Sequence, residues 1–329
     1  SLSASDHEII LAPTATIPPG KDARDIYINQ ENLNTIKNIA ANNPNGSFLG
    51  MFATYDEQFV NTDNAYHAAS AKGFTGQAWI FNPSDQEHKF ALICLLDYQQ
   101  VPCSPEQTLE NIITVAAQTE HSVSIQLSQL TAGLHDLGLL IIREPYQNID
   151  TGLNHSSTAL SLFSASNIYV DDSTNPPEIT PLSIPHEQGL KDYSKLFYAS
   201  KSPELLEPNG LIRIWESEEG QAGGWIDFYL HFNWQEDRKE TNVAMMAFIN
   251  YQQVPIYYEN APHFPLYINR ETKSLQTFPV RIQVPNEPGV YELYLTAVSH
   301  PFEPQEINGE YVSNMHQEES RPIRLEVLP

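Results

Sequence analysis

The chain has 329 residues, of which 41 are Asp or Glu and 17 are Lys or Arg, for a formal net charge of −24. Such an acidic surface repels phosphate backbones, so nucleic acid is excluded as a partner on electrostatic grounds. No segment approaches the roughly 20 apolar residues of a membrane-spanning helix, and we therefore expect no membrane insertion.

Residues 1–23 are polar and rich in Ser, Ala, Thr and Pro. This composition is typical of a stalk that remains after a signal peptide or a lipid anchor has been removed. We therefore expect an N-terminal stalk over residues 1–23. The same reasoning predicts an extracellular or cell-surface location, with the periplasm as an alternative.

A five-residue word, Tyr-Gln-Gln-Val-Pro, occurs at residues 98–102 and again at 251–255. Each copy follows an apolar run, and further segments match in the same order along the chain. Tyr98 and Tyr251 are 153 positions apart, which is the size of a domain. The pattern predicts an internal duplication, because repeats at this spacing indicate whole domains rather than solenoid units.

The predicted domains are residues 24–172 and residues 186–329, joined by a Pro-rich linker over residues 173–185. Most apolar segments alternate with polar residues, as Val280, Ile282 and Val284 do, and this period predicts half-buried strands. The runs 91–96 and 244–249 are instead almost continuously apolar. They predict central strands that are covered on both faces.

Two segments, one at the start of each repeat, carry apolar residues at helical spacing. They are residues 25–42, with Ile28, Leu33, Ile36 and Ile39, and residues 186–200, with Leu190, Tyr193, Leu196 and Phe197. We expect each to form a short helical or irregular segment.

Residues 288–295 read Pro-Gly-Val-Tyr-Glu-Leu-Tyr-Leu, and residues 322–328 form one more alternating segment. These resemble the last two strands of bacterial immunoglobulin-like and fibronectin-III-like modules. The resemblance implies an all-β protein of two tandem Ig-like β-sandwich domains. It concerns the fold alone, and such folds carry many unrelated functions.

The two cysteines, Cys94 and Cys103, align with Ala247 and Ile256 of the second repeat. Apolar counterparts favour two small core thiols over a disulfide or a metal pair. A disulfide that spans a hairpin is the alternative, since the residues between the cysteines can turn the chain.

Aromatic and polar side chains are concentrated in residues 256–270, after the second copy of the word. Aromatic faces beside amide and carboxylate groups are typical of sugar-binding surfaces. The other interpretation is that these aromatics close one end of the sandwich or bury the contact between domains. The predicted ligand-binding residues are Tyr257, Tyr258, Glu259, Asn260, His263, Tyr267 and Arg270.

No hydrolase, nucleotide-binding or zinc-protease motif is present, so no catalytic residue is predicted. No cofactor is predicted, with calcium as the exception that the acidic loops allow, for example residues 303–320. The metal ligands are left unassigned. His231, on one strand face with Asp227 and Tyr229, is more often a hydrogen-bonded strand residue than a ligand.

Taken together, these features predict a non-enzymatic extracellular or cell-surface protein that binds a carbohydrate or protein ligand or acts as a spacer. Two alternatives are kept. One is a hydrolase with a site in the cleft between the domains, and the other is a self-assembling surface subunit in which an edge strand pairs with a neighbour.

Overall fold

The computed structural model describes residues 48–53, 65–68, 73–82, 84–109, 111–128, 130–146, 161–189, 195–208, 210–213, 215–234, 241–270, 273–307, 310–319 and 322–329. The described residues contain strands and no helix, which confirms the predicted all-β class. None of them forms a helix with the length and apolar character needed to cross a membrane. The predicted stalk and the predicted helical segment over residues 25–42 lie outside the described residues.

Nine strands form the first pair of sheets. They are β1 (Phe48–Ala53), β2 (Ala65–Ala68), β3 (Phe74–Phe81), β4 (His88–Leu96), β5 (Gln99–Val101), β6 (Asn111–Val115), β7 (Glu120–Leu127), β8 (Gly133–Arg143) and β9 (Ser161–Val170). Sheet A has the order β1-β3-β7. Sheet B has the order β2-β9-β8-β4-β5, and β6 also pairs with β4.

The remaining strands form the second pair of sheets and a small hairpin. They are β10 (Leu182–Ser183), β11 (His186–Gln188), β12 (Lys195–Ser200), β13 (Ser217–Gln221), β14 (Trp225–Trp234), β15 (Thr241–Ile249), β16 (Gln252–Val254), β17 (Ile256–Tyr258), β18 (Ala261–His263), β19 (Leu266–Arg270), β20 (Ser274–Gln283), β21 (Gly289–Ser299), β22 (Gln305–Ile307), β23 (Glu310–Val312), β24 (His316–Glu319) and β25 (Ile323–Leu328). Sheet C has the order β10-β19-β15-β21-β25-β13, with β16 on β15 and β24 on β21. Sheet D has the order β12-β14-β20-β17-β18, with β11 on β20, and β22 pairs with β23.

The four sheets pack as layers in the order A, B, C, D. One apolar core lies between sheets A and B, with Ile80 and Ile125 facing Leu92 and Leu139. A second core fills the space between sheets C and D. A third lies between the outer faces of sheets B and C, so the two sandwiches contact each other back to back.

The packing between sheets B and C explains the apolar runs in the sequence. In β4, Leu92 and Cys94 point into the core between sheets A and B, whereas Ile93 and Leu95 point into the core between sheets B and C. Strand β15 has the same double coverage. The prediction that both strands are covered on two faces is therefore confirmed, because a strand between two cores has no polar side.

The strand order of the first sandwich recurs in the second. The series β1-β3-β7 corresponds to β12-β14-β20, and β2-β9-β8-β4 corresponds to β13-β25-β21-β15. In both sandwiches the first two strands of the second series are parallel to each other, β2 with β9 and β13 with β25. This recurrence agrees with a duplicated ancestor, and the duplication itself stays a prediction.

Each copy of the repeated word begins at the second residue of a two-residue hairpin turn. Tyr98 has φ 65° and Tyr251 has φ 63°, and the residue before each also has positive φ. Two consecutive positive φ values are the mark of a type I′ turn, which matches the twist of the flanking strands. A bulky residue is strained there, so its side chain needs firm contacts.

Those contacts are a carboxylate and the aromatic surface between the sandwiches. The Tyr98 hydroxyl donates to Oδ2 of Asp136 at 2.5 Å, and the Tyr251 hydroxyl donates to Oε1 of Glu292 at 2.5 Å. The Tyr98 ring packs edge-on against Phe302 at 5.5 Å between centroids, in the other sandwich. The repeated word therefore builds the contact between the sandwiches.

The preference for two free core thiols is wrong. Cys94 and Cys103 form a disulfide with a Cα–Cα distance of 5.3 Å. Cys94 is opposite Val101 in the β4–β5 hairpin, so the turn at Tyr98 brings the two cysteines together. Apolar counterparts in the second repeat did not distinguish the alternatives, because a disulfide buried in a core is itself an apolar group.

The helical segment predicted over residues 186–200 is also wrong where the structure describes it. Residues 186–188 form β11 and residues 195–200 form β12. Phe197 and Ala199, two positions apart, both lie in the core between sheets C and D. The apolar residues at helical spacing, which include Leu196 and Phe197, predicted a helix here. Hydrogen-bonded pairing of β12 with β14 overrides that local preference, and the residues form a strand.

The residues predicted as a linker, 173–185, are largely without regular structure and largely exposed. Their two ends are nevertheless attached to the sandwiches. The Asn175 carbonyl accepts the N–H of Leu134, and Ile184 is buried in the core between sheets C and D.

Candidate functional site

The outer face of sheet D carries an exposed aromatic surface. Strand β14 alternates strictly here: Ile226 and Phe228 point into the core, so Trp225 and Asp227 point to solvent. Trp225 has 44% of its surface exposed, although tryptophan side chains in folded proteins are on average largely buried. A large exposed aromatic side chain of this kind is more informative than a scattered surface leucine.

Tyr257 lies beside Trp225 on the same face. Their ring centroids are 4.7 Å apart, and the planes are nearly perpendicular at 86°. Strand β17 places Tyr257 there because it pairs with β20 at the position of Arg281. The two rings form an edge-to-face pair, which fixes both orientations at little entropic cost.

Arg281 connects the aromatic pair to polar groups. Its guanidinium carbon lies 5.5 Å from the centroid of the Trp225 ring. Its Nε donates to Oδ1 of Asp227 at 2.9 Å, and its Nη1 donates to Oδ1 of Asn260 at 3.3 Å. We call Trp225, Asp227, Tyr257, Asn260 and Arg281 the aromatic platform.

The hairpin of β17 and β18 positions Asn260 at the rim of the platform. Tyr258 pairs with Ala261, which leaves Glu259 and Asn260 as a two-residue turn. Their φ values are 48° and 67°, as a type I′ turn requires. Asn tolerates this conformation better than most residues, so the local sequence and the turn agree.

The structure separates the residues that the sequence predicted as one binding site. Tyr257 and Asn260 belong to the platform, and Glu259 is exposed in the adjacent turn. Tyr258, the next residue in β17, faces the other way and packs against the core, with its ring 6.1 Å from that of Phe278. Burial raises the pKa of the Tyr258 hydroxyl.

The other three predicted residues lie away from the platform or point elsewhere. Tyr267 packs into the core between sheets B and C, edge-on to Tyr98 at 6.2 Å, and burial raises its pKa. Arg270 is 1% exposed and stacks on Trp234, with its guanidinium carbon 3.3 Å from the ring centroid. His263 is half-buried in β18, and burial lowers its pKa.

Trp225 and Arg281 were not predicted as site residues, and Asp227 was considered only beside His231 as part of a possible metal site. Each was visible as an outward position of an alternating strand, since Ile226, Phe228 and Ile282 have the opposite phase. The signal that could have found them is the combination of this phase with residue type. A tryptophan on the solvent side of a strand is unusual enough to mark a surface.

His231 lies between two hydroxyl groups and is hydrogen-bonded to both. It is fully buried, with Nε2 2.8 Å from Oγ of Ser200 and Nδ1 3.0 Å from Oγ1 of Thr277. Burial lowers the pKa of His231 to about 4. Among the described residues, no three His, Cys, Asp or Glu side chains are placed to hold a metal ion together.

No protein-family model matches the chain, and no curated protein matches its sequence. Among solved structures, the chain is similar to a family 123 glycoside hydrolase from Clostridium perfringens, with 13% identity and a TM-score of 0.27 over 41% of this chain. The match spans 27% of the length of that enzyme.

Two further solved structures that are similar to this chain are a PapD-like domain and a calcium-binding module. The PapD-like domain 7 of human CEP192 matches with 14% identity and a TM-score of 0.21, over 35% of this chain and 82% of that domain. The calcium-binding domains CBD12 of CALX1.1 match with 10% identity and a TM-score of 0.20, over 70% of this chain and 77% of theirs.

Chemically, the platform offers an aromatic surface bordered by a cation, a carboxylate and an amide. The apolar surface suits the C–H face of a pyranose ring, and the polar groups suit its hydroxyls. Asp227 and Arg281 already hold each other at 2.8 Å, which keeps both groups in place before a ligand arrives.

Proposed function

We propose that the protein is a non-enzymatic binding protein that recognises carbohydrate through the aromatic platform. The observation that carries this proposal is the exposed, orientationally fixed pair of Trp225 and Tyr257 beside Arg281 and Asp227. An apolar ring that is exposed to water is unfavourable in free energy. A ligand that covers the ring removes this apolar surface from water, and the gain contributes to the free energy of binding.

The platform is already formed without a ligand. Trp225 and Arg281 lie on adjacent strands of a continuous sheet, and Asn260 is fixed in a tight turn. Binding to rigid strands loses less conformational entropy than binding to a loop, so a flat surface of modest area is enough for weak, specific recognition.

The location proposed for this function is extracellular or at the cell surface, where polysaccharides are accessible. The disulfide between Cys94 and Cys103 supports it, because disulfides persist in oxidising compartments and are rare in the cytosol. Calcium stays a proposed cofactor of the acidic loops.

A hydrolase with a site between the two sandwiches is the alternative that the structure supports less. In the described residues, the space between sheets B and C is filled by apolar side chains such as Ile93, Leu140, Met246 and Phe248. A packed core provides no room for substrate there.

Affinity electrophoresis tests the proposal. The wild-type protein and the variants Trp225→Ala, Tyr257→Ala and Leu211→Ala are run through native gels, each containing one soluble polysaccharide. We expect retardation of wild type and of Leu211→Ala, whose exposed side chain is not part of the platform, and loss of retardation in the two aromatic variants. Equal migration of all four proteins in every gel contradicts carbohydrate recognition by the platform.

A further inference from the structure

The first sandwich has an open groove along one edge, between β6 and β7. The groove has a volume of about 450 Å³ and is lined mainly by polar residues. Glu106, Asn111, Ile113, Ser122, Val123 and Ser124 are among the residues that line it. Its size is in the range of sites that hold small ligands and short peptides.

Main-chain hydrogen-bonding groups of β7 point into this groove. Strand β7 is the last strand of sheet A, and no described strand pairs with its outer edge. The N–H of Gln126 donates outward to the carbonyl of Cys103 at 2.7 Å. Since successive residues of a strand alternate between its two edges, the N–H and C=O groups of Ser122 and Ser124 point outward as well.

The second sandwich fills the corresponding place with its own chain. Strand β20 occupies the position in sheet D that β7 occupies in sheet A, and its outer edge pairs with β17 and β11. The hairpin of β17 and β18 thus shows that this fold accommodates an additional strand at this edge. In the first sandwich, Ser104, Glu106 and Gln107 line the groove without forming a strand, and no described strand pairs with β7 at Ser122 and Ser124.

The edge also lacks the features that usually prevent strand addition. Natural edge strands are protected by Lys, Pro or bulges. Residues 120–127 contain neither Lys nor Pro, and β7 pairs with β3 in unbroken register from Phe74 opposite Leu127 to Phe81 opposite Glu120. A regular strand whose outward main-chain groups at Ser122 and Ser124 have no described strand beside them is a ready template for pairing.

We infer that the β7 edge binds an extended, basic segment of a partner polypeptide by strand addition. The basic character follows from charge: Glu106 lies in the groove and Glu120 begins β7, the lining contains no Lys or Arg, and the whole chain carries −24. The same charge opposes a second copy of this chain as the occupant. Alternate side chains of the segment lie over Ile113 and Val123, and the others face solvent.

The experiment uses an array of blocked hexapeptides that contains every order of Val, Thr and Lys, with a matched array in which Glu replaces Lys. Wild-type protein is expected to bind members of the Lys array and none of the Glu array. The best binder is then made with N-methylated main-chain nitrogens, which removes strand pairing and keeps the side chains. We expect the affinity to fall at least about tenfold, as lost main-chain hydrogen bonds require.

Two variants locate the site. Ser124→Pro removes the outward N–H of β7 and leaves the pairing with β3, and Asn111→Arg places a cation on the facing strand β6 without altering β7. Both are expected to weaken the best peptide at least about tenfold while keeping the wild-type circular dichroism spectrum. Trp225→Ala, in the other sandwich, is expected to bind the peptide normally, so this test is independent of the carbohydrate proposal.

Three results would overturn the inference. The first is an array in which no Lys peptide is bound, and the second is equal affinity for the N-methylated peptide. The third is a concentration-dependent dimer of the wild-type protein in sedimentation that Ser124→Pro abolishes, since this would assign the β7 edge to a second copy of the chain.

Discussion

Gln100 and Gln253 hold each other reciprocally across the contact between the two sandwiches. The N–H of Gln100 donates to Oε1 of Gln253 at 2.6 Å, and the N–H of Gln253 donates to Oε1 of Gln100 at 2.7 Å. Their side-chain amides complete the arrangement, from Gln100 to the carbonyl of Tyr251 at 2.9 Å and from Gln253 to the carbonyl of Tyr98 at 2.8 Å.

This arrangement predicts that each glutamine stabilises the contact and that the two act together. Gln100→Ala and Gln253→Ala should each lower the free energy of unfolding by about 1–3 kcal/mol, because the side-chain hydrogen bonds across the contact are lost and half-buried main-chain groups lose their partners. The double variant should lose less than the sum, by roughly 0.5–1 kcal/mol. Urea unfolding of the four proteins measures this.

Gln99→Ala is the matched control, since the Gln99 side chain makes an exposed hydrogen bond to the carbonyl of Phe264 at 3.2 Å. We expect it to change stability by less than about 0.5 kcal/mol. Strict additivity of Gln100→Ala and Gln253→Ala would show that the sandwiches are not held by one cooperative contact.

The repeated word Tyr-Gln-Gln-Val-Pro was visible in the sequence, but its structural role in the contact between the sandwiches was not. Apolar runs before Tyr98 and Tyr251 correctly predicted strands covered on both faces. The reciprocal bonding could not be predicted, because it depends on how two distant turns face each other. Sequence similarity alone also misplaces the register in part. When residues 77–82 and 228–233 are aligned on the Asn that ends each of them, Ala78 matches Tyr229, yet Ala78 points into a core and Tyr229 does not.

Asp136 gives the contact a pH dependence. Burial raises the pKa of Asp136 to about 7, although hydrogen bonds from Tyr98 and from the N–H of Phe302 act in the opposite direction. Between about pH 4 and pH 7 the folded state therefore binds more protons than the unfolded state. The stability contributed by this group is fully present below pH 4 and is lost as the pH rises through 7.

Asp136→Asn, which does not titrate, isolates this effect. Wild type should be more stable relative to the variant at pH 4.5 than at pH 8, and the gap should shrink by up to about 4 kcal/mol. Urea midpoints of both proteins across this range provide the measurement. A gap that stays constant with pH would contradict a raised pKa for Asp136.

His231 is predicted to act with the opposite sign. Burial lowers the pKa of His231 to about 4, so the unfolded state binds the extra proton. The stability from neutral His231 is present above about pH 6.5 and is lost as the pH falls through 4. Compared with His231→Gln, wild type should lose up to about 3 kcal/mol between pH 7 and pH 4.

The pH ranges over which Asp136 and His231 affect stability overlap, so the stability of wild type alone does not separate the two contributions. The contribution of each residue is obtained from the difference in free energy of unfolding between wild type and the variant at that residue. A His231→Gln difference that grows toward acid pH, in favour of wild type, would contradict the neutral buried imidazole.

The disulfide between Cys94 and Cys103 closes a short loop, with a sequence separation of 9. Loop-closure entropy for this length predicts a stabilisation of about 2–3 kcal/mol. The double variant Cys94→Ala/Cys103→Ala should therefore unfold at lower urea concentration than oxidised wild type. Reductant should lower the midpoint of wild type and leave that of the variant unchanged, and an insensitive wild type would contradict the bond.

The candidate site was predictable only in part. Tyr257 and Asn260 were found from aromatic and polar composition, but composition does not tell which face of a strand a side chain occupies, so Tyr258 and Arg270 were grouped with them. Trp225 and Arg281 come from strands far from Tyr257 in sequence, and only the pairing of β14, β20 and β17 brings the three together.

Carbohydrate recognition by the platform is best tested on a glycan array probed in parallel with wild type and with Trp225→Ala/Tyr257→Ala, each in calcium and in chelator. We expect wild type to bind a defined group of glycans and the double variant to bind none of them, with unchanged folding by circular dichroism. Signal that depends on calcium would add the acidic loops to the site. Identical binding by both proteins, or no binding by wild type in either buffer, would contradict a carbohydrate-binding platform on sheet D.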